Sequence, residues 1–200
     1  HSLDRRQRQM CIRDRAYIGL GIIFWNAISG LINDSSEVFI FNSQHIVGSS
    51  LPLKIMSGRL ICNNFITLSH QMLLYLIGLI FLPIKISLTI LIFPVGLFLL
   101  YLNACWVTTV LGILCARFRD LGQIIKNIVQ LSFFVTPIFW NPAVLEGKRQ
   151  FITDFNIFFH FLVILRDPLL GRVPETKSYL IVLITSLSVS YTHLTLPTIE

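Results

Sequence analysis

The chain has 200 residues, 54% of them hydrophobic and only 13% charged, with a formal net charge of +6. A soluble domain of this size needs roughly a quarter of its residues charged to cover its surface. A water-soluble globular protein is therefore excluded. Four cysteines with no C-x-x-C pair give neither a disulfide framework nor a zinc site.

The two ends read differently from the middle. Arg5–Arg15 and Val189–Ile199 resemble translated sequencing-adapter read-through, so residues 1–15 and 188–200 are read as non-native and 16–187 as the biological message. The exclusion takes five arginines, two aspartates and one glutamate from the 16 basic and 10 acidic residues, leaving 11 and 7, a net of +4. The basic N-terminus thus supports no nucleic-acid partner.

Crossing a hydrocarbon core about 30 Å thick takes roughly 20 mostly apolar residues as a helix. In lipid the backbone must satisfy its own hydrogen bonds, so the apolar runs are read as helices. The first span is Tyr17–Ile32. A polar stretch, Asn33–Arg59, follows, in which Asp34 and Glu37 stand three apart ahead of Val38, Phe39, Ile40 and Phe41. That capping-box spacing predicts a short separate helix with an apolar face. Gly48, Ser49, Ser50 and Pro52 break it.

The second span is Leu60–Leu82, whose first half carries Asn63, Asn64, Thr67, Ser69, His70 and Gln71. Such residues face a partner helix or a water-filled cavity. After a turn at Pro83 and Lys85, the third span is Ile86–Ala116, about 46 Å long as a helix, so it must tilt, bend at Pro94 or protrude. Arg117, Phe118, Arg119 and Asp120 end it, and the fourth span is Leu121–Trp140, closed by Asn141 and Pro142. Phe151–Leu165 is apolar and aromatic but short for a crossing, which suits a re-entrant or interfacial element. Tyr179–Leu187 begins a last span. Arg117, Arg119 and Lys126 place the third-to-fourth junction, and with it the segment 33–59, on the cytoplasmic side.

The stretch Leu111–Pro142, L-G-I-L-C-A-R-F-R-D-L-G-Q-I-I-K-N-I-V-Q-L-S-F-F-V-T-P-I-F-W-N-P, resembles the signature region of type-2 ATP-binding-cassette (ABC) export permeases for polysaccharides. These are the O-antigen, capsule and teichoic-acid exporters. The residues carrying the resemblance are Arg117, Arg119, Asp120, Gln130, Thr136, Pro137, Ile138 and Trp140. Arg166–Pro174 resembles the family's Arg-x-x-Leu-Leu-x-Gly ending, and Asn42–Leu53 its cytoplasmic stretch before re-entry. One departure is that Asn156 is followed by Ile157, where the family has Asn-Pro.

The resemblance implies an all-α polytopic membrane protein with about five of six spans present, plus the short re-entrant element. It implies a multi-pass permease of the bacterial cytoplasmic (inner) membrane, working as a homodimer with a cytoplasmic ATP-binding-cassette subunit and moving a lipid-linked glycan among membrane lipids. Such a permease is not an enzyme: ATP and Mg belong to the partner, and this chain holds no cofactor. On that reading Asp34, Glu37, Val38, Phe39 and Phe41 form the helix that couples to the ATPase subunit. Phe133, Phe134, Phe139, Trp140, Phe155, Phe158 and Phe159 line the translocation path.

Each assignment has a plainer counterpart. The Asp34–Phe41 helix would also suit a surface amphipathic helix, the arginines a snorkelling anchor, and the aromatics an interfacial belt. His70 and His160 lack a second ligand at metal-binding spacing and are read as packing or hydrogen-bonding residues. A drug or ion exporter of the same fold remains open, since fold does not fix substrate. A membrane glycosyl- or acyltransferase is less favoured: the acidic residues are scattered, with no D-x-D. The sequence has no G-x-x-x-x-G-K-[ST] loop.

Overall fold

A computed structural model of the protein describes residues 2–43, 53–81, 87–140 and 150–195, and every regular element among them is helical. In chain order these are α1 (Ser2–Phe41), α2 (Leu53–Phe81), a 3-10 segment (Leu88–Ile92), α3 (Phe93–Arg117), α4 (Asp120–Val135), α5 (Gln150–Asp154), α6 (Ile157–Leu169) and α7 (Thr176–Thr195). Three stretches are long and apolar enough to cross a membrane: Arg15–Phe41, Lys54–Gly78 and Leu88–Arg117. The all-helical, polytopic class expected from the sequence is the class observed.

Helix α1 is the centre of the bundle and packs on α2, α3, α4 and α6. Its Leu20, Phe24 and Ile28 meet Ile138, Leu162, Ile164, Leu165 and Val182 in the main core. From His160 to Arg166 every residue of α6 is buried, as befits a helix with apolar side chains all round. Helix α2 does the reverse, exposing Ile66, Leu73, Leu74, Leu76 and Ile77. In a bilayer such a face is stable against lipid tails, which are as apolar as leucine.

Four local differences from the sequence reading have identifiable causes. Helix α1 continues without a break through Asp34 to Phe41, so Asp34 and Glu37 are not a capping box and there is no separate short helix. No Gly or Pro interrupts the stretch from Leu31 to Phe41. The hydroxyls of Ser35 and Ser36 bond back to the carbonyls of Leu31 and Asn33, which occupies the groups that would otherwise compete with the helix.

The third apolar run is not one continuous α-helix. A 3-10 turn leads into α3, which begins at Phe93 with Pro94 in its first turn, where a missing amide is harmless. The fourth run is shorter than expected. Helix α4 ends at Val135 because Pro137 forces Thr136 out of the helical region, to φ −81° and ψ 134°, the usual steric effect on a residue before proline. Its 16 residues reach about 24 Å, too short to cross the core unaided.

The expected re-entrant element is two helices. They join at Asn156, whose side chain accepts the amides of Phe158 (3.0 Å) and Phe159 (3.3 Å) and so caps α6. Helix α6 runs past Pro168 and ends in a Schellman motif: Gly171 has φ 73°, Arg172 N–H donates to the Asp167 carbonyl (2.9 Å) and Gly171 N–H to that of Pro168 (3.3 Å). The last helix starts at Thr176 rather than Tyr179. The breaks expected at Gly48–Pro52, Pro83 and Pro142, and the side chains of 1–14 and 188–200, lie outside the described residues.

Candidate functional site

Two constellations stand out, and α1 and α4 run antiparallel between them. The first is a groove of about 620 Å³ between the C-terminal end of α1 and the start of α2, lined by Asp34, Glu37, Val38, Phe41, Met56 and Arg59 among others. Of the residues assigned to coupling, Phe41 is 75% exposed. Phe39 points the other way. It is buried with Val38 and Met56, and its ring lies where a Cβ on Gly112 would come within 2.6 Å, so α1 and α3 approach closely there. Glu37 forms an ion pair with Lys126 of α4. The Asp34–Phe41 set therefore divides: Asp34 and Phe41 face the groove, Phe39 packs into the bundle, and Glu37 and Val38 do both.

At the α3–α4 junction, Arg117, Arg119, Asp120 and Gln130 are exposed, and the three charged residues pair with no described residue. Arg117 sits in the last turn of α3 and Asp120 in the first turn of α4, where each complements its helix dipole. Lys126 is the member of the junction's basic cluster that is ion-paired within the bundle.

The second constellation lies at the far end of α4. The Phe133 ring centre stands 5.6 Å from Trp25, 5.5 Å from Phe134 and 5.3 Å from Phe139, and Trp25 stands 5.5 Å from Phe158. Trp25 of α1 thus joins the aromatics of α4 to those of α6, a link no spacing along the chain indicates. Phe134, Phe139 and Phe155 are exposed, while Phe158, Phe159 and Trp140 are half-buried. Phe155 stacks on Phe151 at 4.2 Å and Phe159 packs on His160, so these two lie beside the ledge rather than in its Trp25 contact.

Below the ledge, the non-helical residues Thr136–Trp140 are held from three directions. Thr136 is buried; its hydroxyl donates to the Ser132 carbonyl (2.7 Å) and accepts from Asn156 Nδ2 (2.9 Å). The Pro137 carbonyl accepts from Tyr17 Oη (3.4 Å) and from Arg166 Nη1 (3.2 Å). Tyr17 Oη also lies 3.4 Å from the Trp140 carbonyl. Arg166 is 1% exposed, and its guanidinium carbon stands 3.7 Å from the Tyr17 ring centre.

Tyr17, Trp25, Asn156 and Arg166 were not among the expected site residues. Arg166 had a legible signal, a lone cation closing an apolar run, and Asn156 another, a capping residue directly before one; Tyr17 and Trp25 had none. His160 acts as a hydrogen-bonding residue, its nitrogens 3.0 Å from Ser178 Oγ and 3.0 Å from the Asp154 carbonyl. Among the described residues no three metal-ligating side chains gather.

Glu37 and Tyr17 are twenty positions apart on one helix, so groove and turn are separated by about 30 Å, one hydrocarbon thickness. A helical bundle with three apolar membrane-length stretches and constellations a bilayer apart is an integral membrane protein in class. The ABC-2 type transporter family matches residues 5–170, and the chain belongs to that family. Its members are the membrane component of ABC transporters, work with a cytoplasmic ATP-binding-cassette subunit and are not themselves catalytic. No curated protein matches the chain.

Proposed function

We propose that this permease exports a polysaccharide or lipid-linked glycan across the bacterial cytoplasmic membrane, as a homodimer driven by a separate ATPase subunit that binds ATP and Mg. The observation that carries this reading is the aromatic cluster at the far end of α4, where Phe133, packed on the buried Trp25, backs the exposed rings of Phe134 and Phe139. Flat aromatic faces attract the C–H faces of sugar rings without fixing them by directed hydrogen bonds, so a polymer slides from one ring to the next. The R-F-R-D and T-P-I resemblance favours the same cargo. The ATPase subunit seats at the α1–α2 groove, where Phe41 supplies an exposed apolar anchor and Asp34 and Arg59 a charged rim.

The test is the ATPase rate of the permease–ATPase complex in proteoliposomes. A polyprenyl-diphosphate-linked oligosaccharide is expected to stimulate it, and Phe134→Ala with Phe139→Ala to abolish that stimulation while leaving the basal rate. Stimulation by hydrophobic cations and not by the glycan would reassign the permease to drug export.

A further inference from the structure

Arg166 is the most deeply buried charge in the described bundle, and stability does not explain it. A guanidinium carries five donors. Here one nitrogen reaches the Pro137 carbonyl at 3.2 Å, the carbon lies over the Tyr17 ring at 3.7 Å, and Nε finds no hydrogen-bond partner. The neighbouring carboxylate, Asp167 Oδ1, forms a long ion pair with Nε at 3.8 Å. Burying a cation with so little compensation is expensive, and an apolar residue of similar volume commonly packs as well or better. A buried charge at this depth is accounted for by what it holds.

What it holds is the turn after α4. Pro137 removes the helical hydrogen bond that its own amide would have made and pushes Thr136 into extended geometry, so the chain from Thr136 to Trp140 lacks a ladder of its own. Ile138 N–H meets the Thr136 carbonyl within the turn (2.8 Å), but the carbonyls of Pro137 and Trp140 must find donors elsewhere. Tyr17 supplies one from α1, Arg166 one from α6, and Asn156 fixes Thr136 from the cap of α6. Gly21 lets α1 come in close enough: a Cβ there would stand 3.2 Å from Ile138 Cγ2 and 3.3 Å from the Ile138 carbonyl. The turn is thus clamped on residues of two other helices, and Phe139 rides on it against Phe133.

We propose that Arg166 is a positioning residue for transport: stacked on Tyr17 and bonded to the Pro137 carbonyl, it fixes the Thr136–Trp140 turn and thereby the aromatic ledge. The planar guanidinium matters because it presents a face to the tyrosine ring and an edge to the carbonyl at once, which an ammonium does not. The role in transport rests on the ledge lying in the glycan path. The clamp itself does not.

Spin labels at Phe139→Cys on the turn and Leu74→Cys on α2, in an otherwise cysteine-free permease purified with its ATPase subunit, give a distance distribution that reads the turn. Arg166→Met is expected to broaden it. A control pair at Leu74→Cys and Leu114→Cys is expected not to move, and in the unlabelled Arg166→Met permease, which keeps Phe139, glycan-stimulated ATPase activity is expected to fall at least tenfold. Arg166→Lys is expected to recover part of the narrow distribution and part of the stimulation. If Arg166→Met does not accumulate, Arg166→Lys and Tyr17→Phe carry the same measurement, and broadening at 139 is expected in each.

An unchanged 139 distribution overturns the clamp, whatever happens to activity, and leaves the ledge reading standing. A broadened distribution with full stimulation overturns the role in transport and counts against the ledge itself.

Discussion

The burial of α6 inside the bundle is tested most sharply at Gly96. A Cβ at this position of α3 would stand 2.9 Å from the Ile164 carbonyl oxygen and 3.3 Å from Leu165 Cδ2. The close approach has a chemical reason, because Pro168 cannot supply the amide that would ordinarily bond the Ile164 carbonyl, and the small residue brings α3 against that exposed oxygen. An ordinary carbon–oxygen contact is about 3.3 Å or longer, so Gly96→Ala must part α3 and α6 by roughly 0.4 Å against a backbone atom that has no rotamer to change. Overpacking of this kind costs about 1–3 kcal/mol. Alanine also gains about 1 kcal/mol of helix propensity over glycine.

Gly19 separates these two effects, since a Cβ there meets nothing within 4 Å. Gly19→Ala collects the propensity gain alone, and the difference between the variants isolates the contact. Thermal melting of the purified permease–ATPase complex is the assay. Gly96→Ala is expected to melt below Gly19→Ala by roughly 2–12 °C, which is 1–3 kcal/mol at this chain length. Equal melting of the two would refute the packing of α6 against α3 and return α6 to the membrane surface.

Phe39→Ala is expected to destabilise the complex by about 3 kcal/mol, since its ring is buried against Gly112. Phe41→Ala should leave melting within about 0.5 kcal/mol but lower the yield of co-purified ATPase subunit; unchanged yield would rule out docking at the groove. The Glu37–Lys126 pair, each side chain about a third exposed at 35% and 37%, is worth only about 0.2–1 kcal/mol. Reversing either charge should lower melting slightly and reversing both should restore it, as read by a double-mutant cycle. Asn156→Ala removes the cap of α6 and the bond to Thr136, at about 1–2 kcal/mol, so the Phe158 and Phe159 amides should exchange with solvent roughly tenfold faster. Asn156→Asp keeps the acceptor and should preserve their protection.

Much of the architecture follows from composition and run length. The missing charges and the long apolar stretches are sufficient for a polytopic helical protein, because a bilayer admits few alternatives. Local signals were less decisive. Asp34 and Glu37 have capping-box spacing, yet the helix passes through them because nothing before them ends it. Pro137 was legible as part of a motif, but its consequence, a helix too short to cross, needed the steric rule for Thr136. Asn156 without the expected proline turned out to be a cap.

The polar first half of α2 divides in a way only packing decides. Asn64 donates to the Ala27 carbonyl at 3.2 Å, whereas Thr67 and His70 bond within their own helix. The clamp on the turn was the least legible feature. Tyr17 and Pro137 are separated by 120 positions, and no periodicity links them.

The unequal strength of the ties between α1 and α4 bears on how the permease moves. The two helices are joined at one end by Glu37 and Lys126 and at the other by the Tyr17–Arg166 clamp on Pro137. Parting the first exposes two charges that already touch water, at no more than about 1 kcal/mol. Parting the second breaks the Tyr17 and Arg166 hydrogen bonds to the Pro137 carbonyl, one of them from a buried charge, at about 1.5–3 kcal/mol. On the proposed docking of the ATPase subunit at the groove, a load applied there is expected to open the helices at the groove and leave the turn as the pivot. Labels at Ile40→Cys and Gln123→Cys should separate when ATP is added to the complex, while labels at Asn26→Cys and Phe134→Cys should hold their distance. Movement at the second pair without movement at the first would invert this order and show that the ion pair, not the clamp, is the fixed point.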